Sequence, residues 1–151
     1  MKILVASDSH GNSNILTDLR NERYDVTYFL HLGDSCVPKY MIENYCAVKG
    51  NCDFIDLPRF KEIEIEGLKI HMEHGDGFRL NFDKEKYIKE LNCDIFLSGH
   101  THKKLATKID DTFIFNPGSL TRPRDGEKGS YLILEVEKGK LLNYEFIEVD
   151  I

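Results

Sequence analysis

Six short apolar runs in this chain each break off into a small polar cluster: Asp8-Ser9-His10, Gly33-Asp34, Gly50-Asn51-Cys52-Asp53, His74-Gly75-Asp76, Gly99-His100-Thr101-His102 and Asn116-Pro117-Gly118-Ser119. A short, continuous apolar run reads as a strand covered on both faces, and such strands belong to α/β sheets. Ligands of open α/β sheets collect beyond the carboxyl ends of the strands. The repeated placement restricts the chain to folds in which several strand ends share an edge. It predicts one site assembled from many loops.

The periodicity fills in the elements. Residues 3–7 form the first buried strand, followed by a helix over 13–21 with Asn12 or Ser13 as its cap and Ile15, Leu16 and Leu19 on one face. Residues 28–32 and 45–49 are further buried strands, separated by a short helix over 37–44 with Pro38 in its first turn. Then the pattern changes. Glu62, Glu64 and Glu66 alternate with Ile63 and Ile65, Gly67 turns the chain, and residues 68–73 return as the second arm of a hairpin. A helix over 83–91, a buried strand over 94–98 and two hairpins, 105–109 with 112–115 and 131–137 with 141–149, complete the chain. A parallel half thus precedes a more antiparallel half. The class is α/β, with two sheets packed face to face and helices outside.

At 151 residues the chain suits one domain over 1–151. Its formal net charge of −6 argues against a nucleic-acid partner, because phosphate backbones are gripped by Lys and Arg. None of the four cysteines pairs as Cys-x-x-Cys, which excludes a zinc ribbon or a thioredoxin-type redox motif; Cys36, Cys46 and Cys93 read as small core fillers. The apolar start is too short for a signal-peptide core and no stretch approaches a membrane span, so the expected setting is the reducing cytoplasm, with no membrane partner. Apolar residues around 40–45 offer a surface for a homo-oligomer.

The clusters hold the side chains that grip divalent metals. Asp8 and His10, two apart in a loop, can turn a hard oxygen and an imidazole nitrogen toward one ion, and Asp34 has two oxygens with which to bridge two. Asn51 offers an amide oxygen, and His74, His100 and His102 offer nitrogens. Two metals roughly 3.5–4 Å apart would be the working unit. Mixed carboxylate, amide and imidazole donors suit Mn²⁺ foremost, then Ni²⁺, Fe, Zn²⁺ or Mg²⁺. Asp53 and Asp76 read either as groups orienting ligand histidines or as turn formers, His31 and His71 as packed structural histidines, and 116–119 as a tight turn. Arg122 and Arg124, in an exposed stretch after that turn, have the geometry to hold a phosphate oxygen.

The ordered set Asp-x-His, Gly-Asp, Gly-Asn-x-Asp, His-Gly and Gly-His-x-His resembles the calcineurin-like metallophosphoesterase superfamily, over roughly residues 1 to 125. Gly50-Asn51-Cys52-Asp53 and Asn116-Pro117-Gly118-Ser119 resemble its small YfcE-type phosphodiesterase branch. The resemblance implies a four-layer α/β/β/α sandwich of two mixed sheets flanked by helices, the metallo-dependent phosphatase fold. One metal would take Asp8, His10, Asp34 and His102, and the other Asp34, Asn51, His74 and His100. The implied activity is hydrolysis of small phosphate diesters by in-line attack of a metal-bridging hydroxide, with Asp34, Asn51 and His74 at the reacting centre. Many members carry a His where this chain has Cys52, which removes the usual donor to the leaving oxygen. The alternatives are a phosphomonoesterase or cyclic-nucleotide phosphodiesterase using the same metals, and a non-catalytic protein-binding scaffold such as the retromer subunit of this fold. A decayed scaffold site should have lost histidines, and His10, His74, His100 and His102 are all present.

Overall fold

A computed structural model describes residues 1–78, 82–126 and 128–150. The element order is β1 (Lys2–Ala6), α1 (Ser13–Glu22), β2 (Tyr28–His31), α2 (Lys39–Ile42), β3 (Cys46–Ala47), β4 (Phe60–Ile65), β5 (Leu68–Glu73), α3 (Lys84–Leu91), β6 (Ile95–Leu97), β7 (Lys104–Ile109), β8 (Thr112–Pro117), β9 (Gly129–Glu137) and β10 (Lys140–Val149). They build two five-stranded sheets, β10-β9-β1-β2-β3 and β4-β5-β6-β8-β7.

Alternation along each strand divides the apolar residues into layers. In β1, Ile3 and Val5 face the second sheet and join Ile70, Met72, Ile95, Leu97 and Phe115 in the core between the sheets. Leu4 and Ala6 face the other way and pack with Leu16 and Leu19 of α1 and with Ile42 of α2. On the far side, Phe96 and Ile114 pack against Ile88 of α3. The layers are therefore helix, sheet, sheet, helix, as the family resemblance implies.

The division into a parallel and an antiparallel half is more mixed than the sequence suggests. Strands β5, β6 and β8 run parallel to one another inside the second sheet, and the β9–β10 hairpin crosses back to the first sheet beside β1. The reason is burial: β9 is covered on both faces from Gly129 to Leu134 and needs a central position, which β1 supplies. Two elements are shorter than expected. Strand β3 keeps only Cys46 and Ala47 in the ladder, because beyond Val48 the chain turns away and Lys49 N donates to Pro58 O (2.8 Å). Helix α2 is one turn, 39–42, without a side-chain cap. Asn12 is the cap of α1, accepting from Ile15 N, and Ile15 itself is only half-buried. Asp83 caps α3 rather than opening it.

In the 40–45 stretch, Tyr40 and Met41 are exposed, but Ile42 and Tyr45 are buried, the Tyr45 hydroxyl donating to Leu16 O (2.7 Å). The apolar surface there is smaller than the sequence suggests. No helix among the described residues is long and apolar enough to cross a membrane.

Candidate metal centre

Strands β1, β2, β3, β5, β6 and β8 send their carboxyl ends to one edge, where their loops meet. Two carboxylates lie at the middle, each tethered by one oxygen. Asp8 Oδ2 accepts from Ser7 Oγ and from His100 N (3.0 Å), and Asp34 Oδ1 accepts from Cys52 N (2.8 Å). The second oxygen of each points among the histidines. Asp8 Oδ1 lies 3.2 Å from His102 Nε2 and 3.8 Å from both His10 Nε2 and His74 Nε2. Asp34 Oδ2 lies 3.3 Å from His74 Nε2 and 3.9 Å from His10 Nε2.

The histidines are oriented from behind. His74 Nδ1 donates to Leu32 O and His102 Nδ1 to Arg122 O, both at 2.7 Å, which leaves each Nε2 with a lone pair directed into the centre. The inward nitrogens crowd together: His10 Nε2 is 3.3 Å from His102 Nε2, and His100 Nδ1 is 3.3 Å from His74 Nε2. Asp34 thus touches one histidine of each pair. Asp8, His10, Asp34, His74, His100 and His102 are brought together, and Asp8 Oδ1 faces His74 as well as His10 and His102. Asn51 stands exposed at the rim with its Nδ2 toward Cys52 Sγ (3.6 Å).

This arrangement asks for positive charge. Asp8 Oδ1 is buried and has no hydrogen-bond partner among the described residues. A buried carboxylate oxygen facing three ring nitrogens is costly unless a proton or a cation lies between them. In the cation-free protein, protons take part of that role. The neighbouring Asp8 carboxylate raises the His102 pKa against the opposing effect of burial. For His74, burial works downward, but bonding to Asp34 and the charges of both carboxylates raise it overall. Burial pushes Asp34 upward, yet His74 and Cys52 N bring it down to about 2. His10 goes the other way, lowered by burial against the opposing charges of Asp8 and Asp34, with His102 and Arg122 adding to the fall. The two carboxylates and four imidazoles gathered here are donors that fit divalent cations.

The backbone is bent to make this possible. Asp8 (φ 55°), His10 (φ 42°), Asp34 (φ 57°), Cys36 (φ 55°), His100 (φ 71°) and His102 (φ 61°) are all left-handed. The other such non-glycine residues, Glu66, Asn92, Asp110 and Lys138, sit at hairpin turns or a helix end, where that conformation is common. At strand ends each costs about 1 kcal/mol, a strain that clusters at functional sites. Close approach matters too: a Cβ on Gly99 would meet Asp8 Oδ2 at 2.7 Å, and one on Gly50 would collide with Asp34.

Other residues take roles the sequence left open or hid. Asp53 orients no histidine; its carboxylate accepts from the backbone N–H of Asp34 (2.9 Å), Gly50 (2.7 Å) and Cys36 (3.0 Å), fixing the two loops. Asp76 pairs with Arg59 (2.8 Å), away from the ring nitrogens. His31 and His71 are buried, as expected; His71 stacks between Phe60 and Phe96 and bonds Glu73 (2.6 Å). Cys36 is not core filling: its Sγ lies 3.8 Å from His10 Nδ1. The 116–119 stretch is more than a turn. Asn116 Nδ2 donates to Gly99 O (2.9 Å) and Ser119 Oγ to Asp8 O (2.7 Å), so it braces the loops carrying His100 and Asp8. The sequence marks 116–119 as a turn but does not show which loops it braces. Above the centre opens a cleft of about 390 Å³, lined by His10, Asp34, Asn51, Cys52, His100, His102 and the 122–124 segment.

Residues 1–139 match the family described as the calcineurin-like phosphoesterase superfamily domain. A probable metallophosphoesterase of Methanothermobacter thermautotrophicus is 32% identical over 154 residues, covering 93% of this chain and 89% of that protein. One of Methanocaldococcus jannaschii is 35% identical over 112 residues, 69% of this chain and 58% of that protein's length. The phosphodiesterase YfcE of Escherichia coli K12 is 30% identical over 99 residues, 59% of this chain and 51% of that protein. Among solved structures, a predicted phosphoesterase from Streptococcus pneumoniae superposes with a TM-score of 0.87 at 32% identity, over 97% of this chain and 88% of that one. Wild-type Vps29 from Entamoeba histolytica, complexed with Zn²⁺, superposes at 0.77 and 25% identity over 99% of each chain. The chain belongs to the calcineurin-like phosphoesterase superfamily, as a metal-dependent phosphoesterase domain.

Proposed function

We propose that the domain hydrolyses small phosphate diesters with two divalent cations, one held by Asp8, His10, Asp34 and His102 and the other by Asp34, Asn51, His74 and His100. The observation that carries this reading is Asp8 Oδ1, buried and without a hydrogen bond, among inward ring nitrogens. When bound, the cations would neutralise charge on the phosphoryl oxygens and acidify water for in-line attack. Mn²⁺ is the first candidate, ahead of Ni²⁺, Fe, Zn²⁺ and Mg²⁺.

The chain's own residues set the rest. Asp34, touching a histidine of each pair, ties the two halves together. The Leu32 and Arg122 carbonyls hold His74 and His102 in the tautomers that face inward. Cys52 is a poor proton donor to a leaving oxygen, because burial and the Asp34 charge push its thiol above the ordinary value. Esters whose leaving oxygen departs as a stable anion are therefore favoured, and the similarity to YfcE supports a diester among them.

The test is hydrolysis of bis(p-nitrophenyl) phosphate by protein stripped with chelator and reloaded with single cations, alongside elemental analysis. Turnover should vanish on stripping and return with Mn²⁺, and Asp34→Ala should lower it by about a thousandfold or more. Metal-loaded protein inert toward every diester and monoester would leave the scaffold reading, which the likeness to Vps29 keeps in view.

A further inference from the structure

Two arginines border the cleft without joining the donor set. Arg122 and Arg124 are exposed and line it together with His10, His102, Asn51 and Cys52. Among the described residues, the arginine ion pairs are Arg23 with Asp25 and Arg59 with Asp76; neither cleft arginine has one. Acidic residues outnumber basic ones 26 to 20 in this chain, so two guanidiniums beside one cleft, without an ion pair among the described residues, are a local excess of positive charge.

Their backbone is fixed by bonds to the loops of the metal centre. Thr121 Oγ1 donates to Asp8 O (3.3 Å) and Ser9 O (3.2 Å). Arg122 O accepts from His102 Nδ1, and Arg124 N donates to His102 O (2.9 Å). The segment is laced to the same loops that position the carboxylate and histidine donors. Both therefore stand on the Asp8–His10–His102 side. The residues that close the cleft from the 51–52 loop, Asn51 and Cys52, carry no positive charge.

A diester carries one negative charge, which the cation centre alone can neutralise. Two further guanidiniums, each able to grip a phosphate through paired N–H donors, exceed that need. We infer that the substrate carries a second phosphate group, seated on Arg122 and Arg124 beside the scissile diester. This rests on the phosphodiesterase reading above. The second phosphate is not consumed: the water oxygen bonds to the scissile phosphorus, the bond to the leaving oxygen breaks, and the second group remains on the product. The net charge of −6 opposes a long polyanion, so the substrate class is a small bisphosphate rather than a nucleic acid.

The experiment compares thymidine 5′-(p-nitrophenyl phosphate) with the same compound phosphorylated at the 3′ oxygen, following p-nitrophenolate release by the Mn²⁺-loaded protein. The 3′-phosphorylated substrate should have at least about tenfold higher kcat/KM, most of it in KM. R122Q/R124Q should bring that ratio near one, and R124Q alone should lower it part of the way, which guards against misfolding of the double variant. Equal wild-type efficiencies, or a ratio unchanged in both variants, overturn the inference. Release from neither substrate with any cation overturns the phosphodiesterase reading instead.

Discussion

His31 and His74 are both buried, one at the end of β2 and the other just past the end of β5, but they are wired differently. His31 uses both ring nitrogens, Nε2 with Ser9 Oγ (3.0 Å) and Nδ1 with Gly33 N (3.1 Å). His74 uses one on Leu32 O and turns the other toward Asp34 and His100. The carboxylates repeat the contrast. Asp53, beneath the loops, has both oxygens bonded, whereas Asp8 keeps one oxygen free. A closed floor thus supports an open rim. Substitutions in the floor should damage the fold, and substitutions in the rim should damage chemistry.

The paired variants Asp34→Asn and Asp53→Ala test this most severely. Asp34→Asn keeps an acceptor for Cys52 N but loses a charge shared by both histidine pairs, so activity should fall about a thousandfold, with a cation-free stability loss smaller than that of Asp53→Ala. Asp53→Ala strands three backbone N–H groups and should lower unfolding free energy by about 4 kcal/mol. Denaturant unfolding and diester turnover, measured on both, decide; equal stability losses would erase the distinction between floor and rim.

Acid titration is the next largest effect. Burial lowers the His31 pKa to about 4 from an ordinary 6.5. Its folded form therefore resists protonation that the unfolded chain accepts. The associated stability is complete above about pH 6.5 and is lost as pH falls toward 4, by about 3 kcal/mol. His31→Gln should flatten that part of the unfolding free energy against pH curve, and a slope identical to wild type would refute the assignment. Cation binding is a smaller term. Mn²⁺ at a hundred times its dissociation constant should add about 2.7 kcal/mol, a rise in melting temperature that His102→Ala should largely remove.

Much of the rim was legible because its residues follow apolar runs that are strands by necessity. Asp8, His10, Asp34, Asn51, His74, His100 and His102 were all singled out, and the structure brings them to one edge. What escaped depends on partners distant in the chain. Ser119 bonds Asp8 O across 111 residues, and His10 meets His102 across 92. Local pattern cannot tell which loop will brace another. Nor does it reveal left-handed backbone at His10 or His100, since the strain is imposed by closure of the site and not by the residue's own preference. Of the two roles open to Asp53, the fold selects the turn former: its donors are backbone groups of its own loop and of the loop brought near by the parallel β2–β3 pairing, which contains only two residue pairs.

The smallest expected effect comes from the residue that departs from the wider superfamily. Cys52 is exposed, its sulfur accepts from the Asn51 amide (3.6 Å) and lies within 4.8 Å of donor atoms of His10 and Asp34, and its backbone N donates to Asp34. Cys52→Ser keeps that backbone bond and replaces one weak acid with a weaker one. With p-nitrophenolate as leaving group, which needs no proton, turnover should change by less than about threefold. Alkyl esters provide the sharper arm, because their leaving oxygen must be protonated. If Cys52 supplied that proton, the serine variant would lose about a hundredfold on alkyl esters alone. A uniform, small change across both classes would instead place Cys52 with the floor, as a backbone anchor whose side chain happens to face the cleft.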